Sequence, residues 1–144
     1  MREAIRLLKQ YFGHTSFRKG QEELIDALLS GRDVLGVMPT GAGKSVCYQL
    51  PAMMLPGMTL VISPLISLMK DQVAVLIQAG IPAAFLNSSM SQEEYLDTLR
   101  EAHGGAYKIL YVAPERLTAG AFIGLCKHVS ISLVAIDEAH CVSQ

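Results

Sequence analysis

The segment Met38-Pro39-Thr40-Gly41-Ala42-Gly43-Lys44-Ser45 carries more information about the fold than any other part of this chain. An apolar run at residues 34–37 precedes it, and residues 46–50 can open a helix. A strand, a glycine-rich turn and a Lys-Ser pair at the start of a helix are typical of the phosphate-binding P-loop. The segment therefore predicts a P-loop between the first strand of a parallel sheet and its helix.

The chemistry of this turn follows from its residue types. Gly41 and Gly43 lack a Cβ, so the backbone N–H groups of residues 40–43 can approach phosphate oxygens closely. The start of the following helix adds unpaired N–H donors and partial positive charge. Lys44 is expected to reach the β- and γ-phosphates, and the Ser45 hydroxyl to ligate Mg²⁺. One departure from the general pattern is Met38, where that pattern has glycine.

The composition is that of one compact domain. The chain has 144 residues, of which 51% are hydrophobic and 17% charged, and this balance suits a buried parallel sheet. The net charge of −1 does not by itself indicate a nucleic-acid partner. Three widely spaced cysteines without a CxxC pair argue against a disulfide framework and against a zinc site. Without an apolar run long enough for a membrane or a signal peptide, we expect a cytoplasmic protein with no membrane partner.

Strand and helix patterns alternate along the whole chain. Helices are predicted at residues 3–12, 21–30, 46–50, 66–79, 91–103 and 119–127, and strands at residues 33–37, 59–62, 83–86, 108–112 and 131–136. Ile5, Leu8 and Phe12 share one face of the first helix. The third helix is expected to end at or before Leu50, because Pro51 disfavours helix in the residue before it. The alternation predicts an α/β fold with a mostly parallel sheet and helices on both faces.

An acidic pair follows the last predicted strand. Four apolar residues, 133–136, lead directly to Asp137 and Glu138 at a strand's carboxyl end, where ligands bind in such sheets. This is a Walker B pattern. Asp137 is expected to hold the Mg²⁺ opposite Ser45, and Glu138 to orient or deprotonate the attacking water. The pair without the P-loop would also fit a solvated acidic turn.

With Ala139 and His140, the acidic pair completes an Asp-Glu-Ala-His tetrad, and the chain then resembles the first motor lobe of superfamily 2 helicases. More closely, it resembles the RecQ family of ATP-dependent DNA helicases. Residues 12–21 are similar to that family's segment ahead of the P-loop, residues 63–72 to its motif Ia, residues 111–117 to its next DNA-facing motif, and residues 141–144 to the segment after its DEAH box. The resemblance implies a three-layer RecA-like P-loop NTPase domain over residues 1–144.

The resemblance also implies roles for individual residues. Gln21 would hydrogen-bond adenine, with Arg18 beside the nucleotide, and the cofactors would be ATP and Mg²⁺. Single-stranded or duplex DNA would contact Arg116 and the start of the motif Ia helix, at Ser63, Ser67 and Lys70. Without the resemblance, Ser63, Ser67 and Lys70 could simply cap the start of a helix and face solvent. Gln21 and Arg116 could likewise be ordinary surface residues.

The implied function is the ATP-binding lobe of a 3′-to-5′ DNA helicase. The sequence stops at Gln144, four residues past the DEAH box, whereas RecQ helicases continue into an aromatic-rich loop and a second RecA-like lobe. We therefore expect a truncated lobe that is inactive by itself, from a parent enzyme that is cytoplasmic, or nucleoid-associated if bacterial. Two alternatives stay open: a nucleotide-binding module without turnover, and the lobe of a superfamily 2 RNA helicase.

Overall fold

The computed structural model describes residues 2–18, 20–31 and 45–136, which fall into two compact units, Met1–Leu55 and Pro56–Gln144. The predicted strand at residues 33–37, most of the P-loop and the acidic pair lie outside the described residues. Among the helices that the structure describes, none combines the length and apolar content that crossing a membrane requires.

The first unit contains three helices around a small apolar core. They are α1 (Arg2–Phe12), α2 (Gln21–Leu29) and α3 (Val46–Met54), and α3 contacts both of the others. Leu8, Ile25 and Leu50, one from each helix, are almost completely buried. The buried face of α1 is Ala4, Leu7 and Leu8, whereas Ile5 is 42% exposed. The prediction that Ile5 lies on the buried face of α1 is therefore wrong. Residues 4, 7, 8 and 11 also have helical spacing, and they form the face that packs in this unit.

The prediction that α3 ends at or before Leu50 is also wrong. The helix continues through Pro51, whose carbonyl accepts a hydrogen bond of 2.9 Å from the backbone N–H of Leu55. Every residue of α3 from Val46 to Ala52 is buried. A proline inside a helix lacks one backbone donor and crowds the preceding turn. Burial of a whole helical face offsets this local cost, because fully burying one leucine contributes roughly 1.5–3 kcal/mol.

The second unit alternates strands and helices as predicted. The elements in chain order are β1 (Met58–Ile62), α4 (Ile66–Gln78), β2 (Ala83–Leu86), α5 (Gln92–His103), β3 (Ile109–Val112), a 3₁₀ turn (Pro114–Arg116), α6 (Gly120–His128) and β4 (Ile131–Ile136). A capping box begins α5: the Ser91 N–H donates to the Glu94 carboxylate at 2.8 Å, and the Glu94 N–H donates to the Ser91 hydroxyl at 3.1 Å. These bonds lower the pKa of Glu94.

All described strands pair in parallel, in the order β2-β3-β1-β4. β1 lies between β3 and β4, with Leu60 beside Leu110 on one side and Val134 on the other. Because the pairing is parallel throughout, the carboxyl ends of the four strands lie at one edge of the sheet. The predicted fold class, a mostly parallel sheet flanked by helices, is confirmed.

Helices cover the sheet on both faces within this unit. Leu60, Leu110 and Val112 point to one face, where α5 and α6 pack against them through residues that include Tyr95 and Phe122. The alternate residues point to the other face, where the Tyr111 hydroxyl donates to the Gln72 carboxamide oxygen of α4 at 2.8 Å. The unit therefore has three layers: α4, the sheet, and α5 with α6.

Gly57, just before β1, allows β1 and β4 to approach closely. Its φ is +81°, a conformation that favours glycine. A Cβ there would lie 2.6 Å from the Ser130 carbonyl oxygen and 2.7 Å from the Ser132 hydroxyl. The same carbonyl accepts the hydrogen bond from the Met58 N–H at 2.9 Å, so a side chain at position 57 would disturb the start of the β1–β4 pairing.

We expect Gly57→Ala to destabilise the second unit more than Gly80→Ala. Gly80 also has a positive φ (+90°), but a Cβ there would meet nothing within 4 Å. Gly80→Ala should cost roughly 1–2 kcal/mol of unfolding free energy for the left-handed backbone alone. Gly57→Ala should cost about 1–3 kcal/mol more, because the added Cβ clashes with β4. Urea unfolding of both variants measures the difference, and equal losses would contradict the close approach.

Candidate functional site

The residues predicted for ATP and DNA divide between the two units. Arg18, Gln21 and Ser45 belong to the first unit, and Ser63, Ser67, Lys70 and Arg116 to the second. The other predicted residues lie outside the described part of the chain: Thr40, Gly41, Ala42, Gly43, Lys44, Asp137 and Glu138. For those seven residues, the roles assigned from the sequence stay predictions.

A pocket in the first unit joins the predicted nucleotide residues. It has a volume of ≈ 330 Å³ and is lined by residues 13–16, Arg18, Gln21 and Val46. This volume falls at the lower end of the range for small-molecule sites in proteins. Val46 is the first residue of α3 and follows Ser45 directly, so the pocket borders the end of the P-loop segment.

Gln21 is held in this pocket by the chain around it. It is the first residue of α2, its exposed fraction is only 3%, and its carboxamide oxygen accepts a 2.7 Å hydrogen bond from the Arg18 backbone N–H. The Gln21 N–H in turn donates to the Arg18 carbonyl at 3.0 Å. Gly20 makes this turn possible with a φ of 88°. A carboxamide offers both a donor and an acceptor, and this one is oriented before any ligand binds.

Ser45 lies at the amino end of α3. Its carbonyl accepts hydrogen bonds from the N–H groups of Tyr48 at 3.2 Å and Gln49 at 2.9 Å, which is the pattern of a first helical turn. The amino end of a helix carries partial positive charge and backbone donors that suit an anion. The structure therefore agrees with a helix that begins directly after the P-loop segment.

The predicted DNA residues near α4 differ in exposure. Ser63 follows β1 and is 98% buried, and its hydroxyl accepts a 3.3 Å hydrogen bond from the Leu65 N–H. Ser63 thus shapes the turn between β1 and α4. Ser67 and Lys70 are exposed and lie one turn apart near the start of α4, so they face one side of the helix together.

Arg116 lies at the same carboxyl edge but is partly enclosed. Its guanidinium lies 4.2 Å above the Tyr95 ring and donates a 3.2 Å hydrogen bond to the Asn87 carbonyl. The Arg116 Nε and the Tyr95 hydroxyl are buried without hydrogen-bond partners. A guanidinium held over an aromatic ring has few orientations. These contacts link the 3₁₀ turn after β3 to α5 and to the end of β2.

Asn87 and Tyr95 are the residues at this edge that sequence reasoning did not single out. Asn87 is fully buried directly after β2, and its carboxamide oxygen accepts from the Ser89 N–H at 2.9 Å and from the Ser89 hydroxyl at 2.6 Å. Its position at a strand's carboxyl end was the available signal. No feature of the sequence indicated a contact between Tyr95 and the carboxyl edge, because the pattern around Tyr95 predicts only a core residue of an amphipathic helix.

Comparison with known proteins gives a consistent family. The model of the DEAD/DEAH box helicase family matches residues 18–144. The chain is 53% identical over 139 residues to the ATP-dependent DNA helicase RecQ of Bacillus subtilis, and 54% identical over 141 residues to that of Pasteurella multocida. The matches cover 96% and 98% of this chain but only 24% and 22% of those relatives, so it spans about a quarter of their length.

Solved structures share the fold at low sequence identity. A hypothetical ATP-dependent RNA helicase from Sulfolobus tokodaii matches 99% of this chain and 43% of its own, with a TM-score of 0.77 and 23% identity. The helicase MrfA bound to DNA and AMPPNP matches 96% of this chain and 21% of its own, with a TM-score of 0.73 and 20% identity. At these identities the two structures support the architecture and nothing finer.

Proposed function

This chain belongs to the DEAD/DEAH box helicase family, and from that premise we propose that it is the ATP-binding lobe of an ATP-dependent DNA helicase. In the whole protein, ATP hydrolysis would drive unwinding with 3′-to-5′ polarity. The observation that carries the proposal is the buried, pre-oriented Gln21 carboxamide in a pocket that ends at the first residue of α3. A base in that pocket would have its phosphates directed towards the amino end of α3.

The nucleotide would be held by groups with separate tasks. Gln21 binds the adenine edge, and Arg18 lies beside the base or the ribose. The backbone N–H groups of residues 40–43 and the Lys44 ammonium bind the phosphates. Ser45 and Asp137 would hold Mg²⁺, which would neutralise negative charge on the phosphates. Glu138 positions the attacking water and takes its proton.

The proposed DNA contacts lie at the carboxyl edge of the sheet. Ser67 and Lys70 are exposed at the start of α4, and Arg116 and Ser63 follow β3 and β1 at the same edge. An ammonium and a hydroxyl on one side of a helix start suit the sugar-phosphate backbone and carry no sequence preference. DNA is favoured over RNA as the substrate because two relatives named DNA helicases are more than 50% identical to this chain.

Two parts of the proposal concern the whole protein. A second RecA-like lobe would complete the ATP site with an arginine, a contribution worth about 10³-fold or more in rate in related NTPases. The isolated chain would then bind nucleotide without turnover. An enzyme that unwinds chromosomal DNA in a bacterium would act in the cytoplasm, at the nucleoid.

We expect Gln21→Glu to weaken ATP binding. The glutamate keeps an oxygen for the Arg18 N–H but loses the carboxamide donor that adenine needs, and one lost hydrogen bond of this kind costs ~1–3 kcal/mol. Titration with fluorescent ATP and GTP analogues should give an ATP affinity lower by tenfold or more and a smaller preference over GTP. Glu22→Ala, an exposed neighbour on α2, is the matched control. An unchanged ATP-to-GTP ratio in Gln21→Glu would remove the adenine role.

Hydrolysis is tested in the full-length protein with Glu138→Gln. This variant should bind Mg-ATP normally and lose DNA-stimulated turnover by about 10²–10⁴-fold, because the general base is absent. Lys44→Ala should instead lose nucleotide binding. Steady-state phosphate release with and without single-stranded DNA measures both. Normal turnover in Glu138→Gln would show that another group activates the water.

A further inference from the structure

The outer edge of β2 has backbone groups that the sheet does not use. Within the described part of the chain, β2 pairs with β3 alone. The carbonyls of Pro82 and Leu86 accept from the two residues that flank β3, at 2.8 Å from the Lys108 N–H and 3.0 Å from the Ala113 N–H. Backbone groups of successive residues in a strand point to alternate sides. The N–H and C=O groups of Ala83 and Phe85 therefore face away from β3.

A groove of ≈ 360 Å³ runs along this edge between two helices. Residues 83–85 of β2 form its floor, and Val73 of α4 lines one wall. The other wall is α5, which contributes Glu94, Asp97, Thr98 and Glu101. These four residues have the spacing of a single helical face.

The two walls of the groove differ in chemistry. The residue of α4 that lines the groove, Val73, is apolar. Ile77 lies one turn beyond Val73 on the same stripe of α4, next to the lining of the groove, and is 57% exposed. Lys70 is at the other end of that stripe, near Glu94. The hydrogen bonds with Ser91 are the main cause of the lowered pKa of Glu94, and the positive charge of Lys70 lowers this pKa further. The α5 wall is acidic. Its Asp97 forms a 2.9 Å ion pair with Arg100, but both side chains are at least half exposed, so the pair is weak and exchangeable.

We propose that this groove binds an extended segment of a partner protein, added to the sheet as a strand beside β2, in which basic and apolar residues alternate. An added strand would pair with the outward backbone groups of Ala83 and Phe85. Its side chains would point alternately to the two faces of the sheet. Because α4 and α5 lie on opposite faces, apolar side chains would meet Val73 and Ile77, and basic side chains would meet Asp97 and Glu101.

A second copy of this chain fits the groove poorly. Its own β2 has the sequence Ala-Ala-Phe-Leu, without a basic residue to face α5. Pairing two β2 edges would also bring two acidic walls together. The charge of the α5 wall therefore favours a basic partner segment over self-association.

The test uses the peptide Ac-KVKIKVK-NH2, labelled with a fluorophore, and the 144-residue chain. Fluorescence anisotropy should show saturable binding in the range of tens of micromolar, and hydrogen exchange of the Ala83 and Phe85 amides should slow on binding. A peptide of the same sequence with alternate backbone nitrogens methylated keeps the charge but cannot pair along one edge. It should bind at least tenfold more weakly, as should the block sequence Ac-KKVIVKK-NH2.

Matched charge reversals on the protein separate the groove from general attraction. Asp97→Lys should weaken peptide binding fivefold or more, whereas Glu115→Lys, an equal charge change at an exposed residue outside the groove, should leave it within twofold. If Asp97→Lys melts at a lower temperature than the unmodified chain, Thr98→Lys is used in its place, because it also puts a positive charge on the α5 wall. The proposal is overturned if the chain shows no saturable binding, or if the methylated peptide binds as well as the unmethylated one. It is also overturned if the two charge reversals have equal effects, or if the chain forms dimers through β2.

Discussion

The parallel pairing of β1 with both β3 and β4 is the constraint on which the second unit depends. Residues of β1 are paired on both sides from Thr59 to Ile62, and their side chains are largely buried under helices on both faces. With its neighbours aligned in the same direction, each strand ends at the same edge. The turns that follow β1 and β2 begin there with Ser63 and Asn87, the 3₁₀ turn after β3 ends with Arg116, and β4 ends there one residue before Asp137 in the sequence. A single pairing rule therefore gathers polar residues that are far apart along the chain.

Different boundaries of the sheet have different chemistry. The carboxyl edge carries hydroxyl, carboxamide and cationic groups, some of them already engaged with the protein, as in the contacts among Arg116, Tyr95 and Asn87. The lateral edge at β2 instead exposes backbone groups between an apolar and an acidic wall. An electropositive helix start suits phosphate, whereas an acidic groove repels it. Nucleic acid and a protein partner could therefore use separate parts of one small sheet.

Local sequence patterns were sufficient to predict the bounds of an element where capping residues or glycines fix its ends. The bounds of β2 and β4 agree with the prediction, and α5 begins within one residue of its predicted start, because caps and glycine stops act within one turn. Local rules failed for α3 and α1, where packing decides: burial carries the helix through Pro51 and turns Ile5 to solvent. The ring contact between Tyr95 and Arg116 joins residues on different elements, and no local pattern encodes it. The fold could thus be predicted in outline, but the enclosure of Arg116 could not.

The most direct test of the functional edge compares two exposed lysines on the same unit. Lys70 lies near the start of α4 at the carboxyl edge, and Lys127 lies at the end of α6, close to the amino end of β4. Anisotropy of a labelled oligothymidine is measured against salt concentration for the chain and for both alanine variants. Lys70→Ala should weaken binding several-fold and lower the salt slope by about one, as expected when one phosphate contact is lost, and Lys127→Ala should change neither. Equal effects of the two substitutions, or an effect of Lys127→Ala alone, would contradict the placement of DNA at the carboxyl edge.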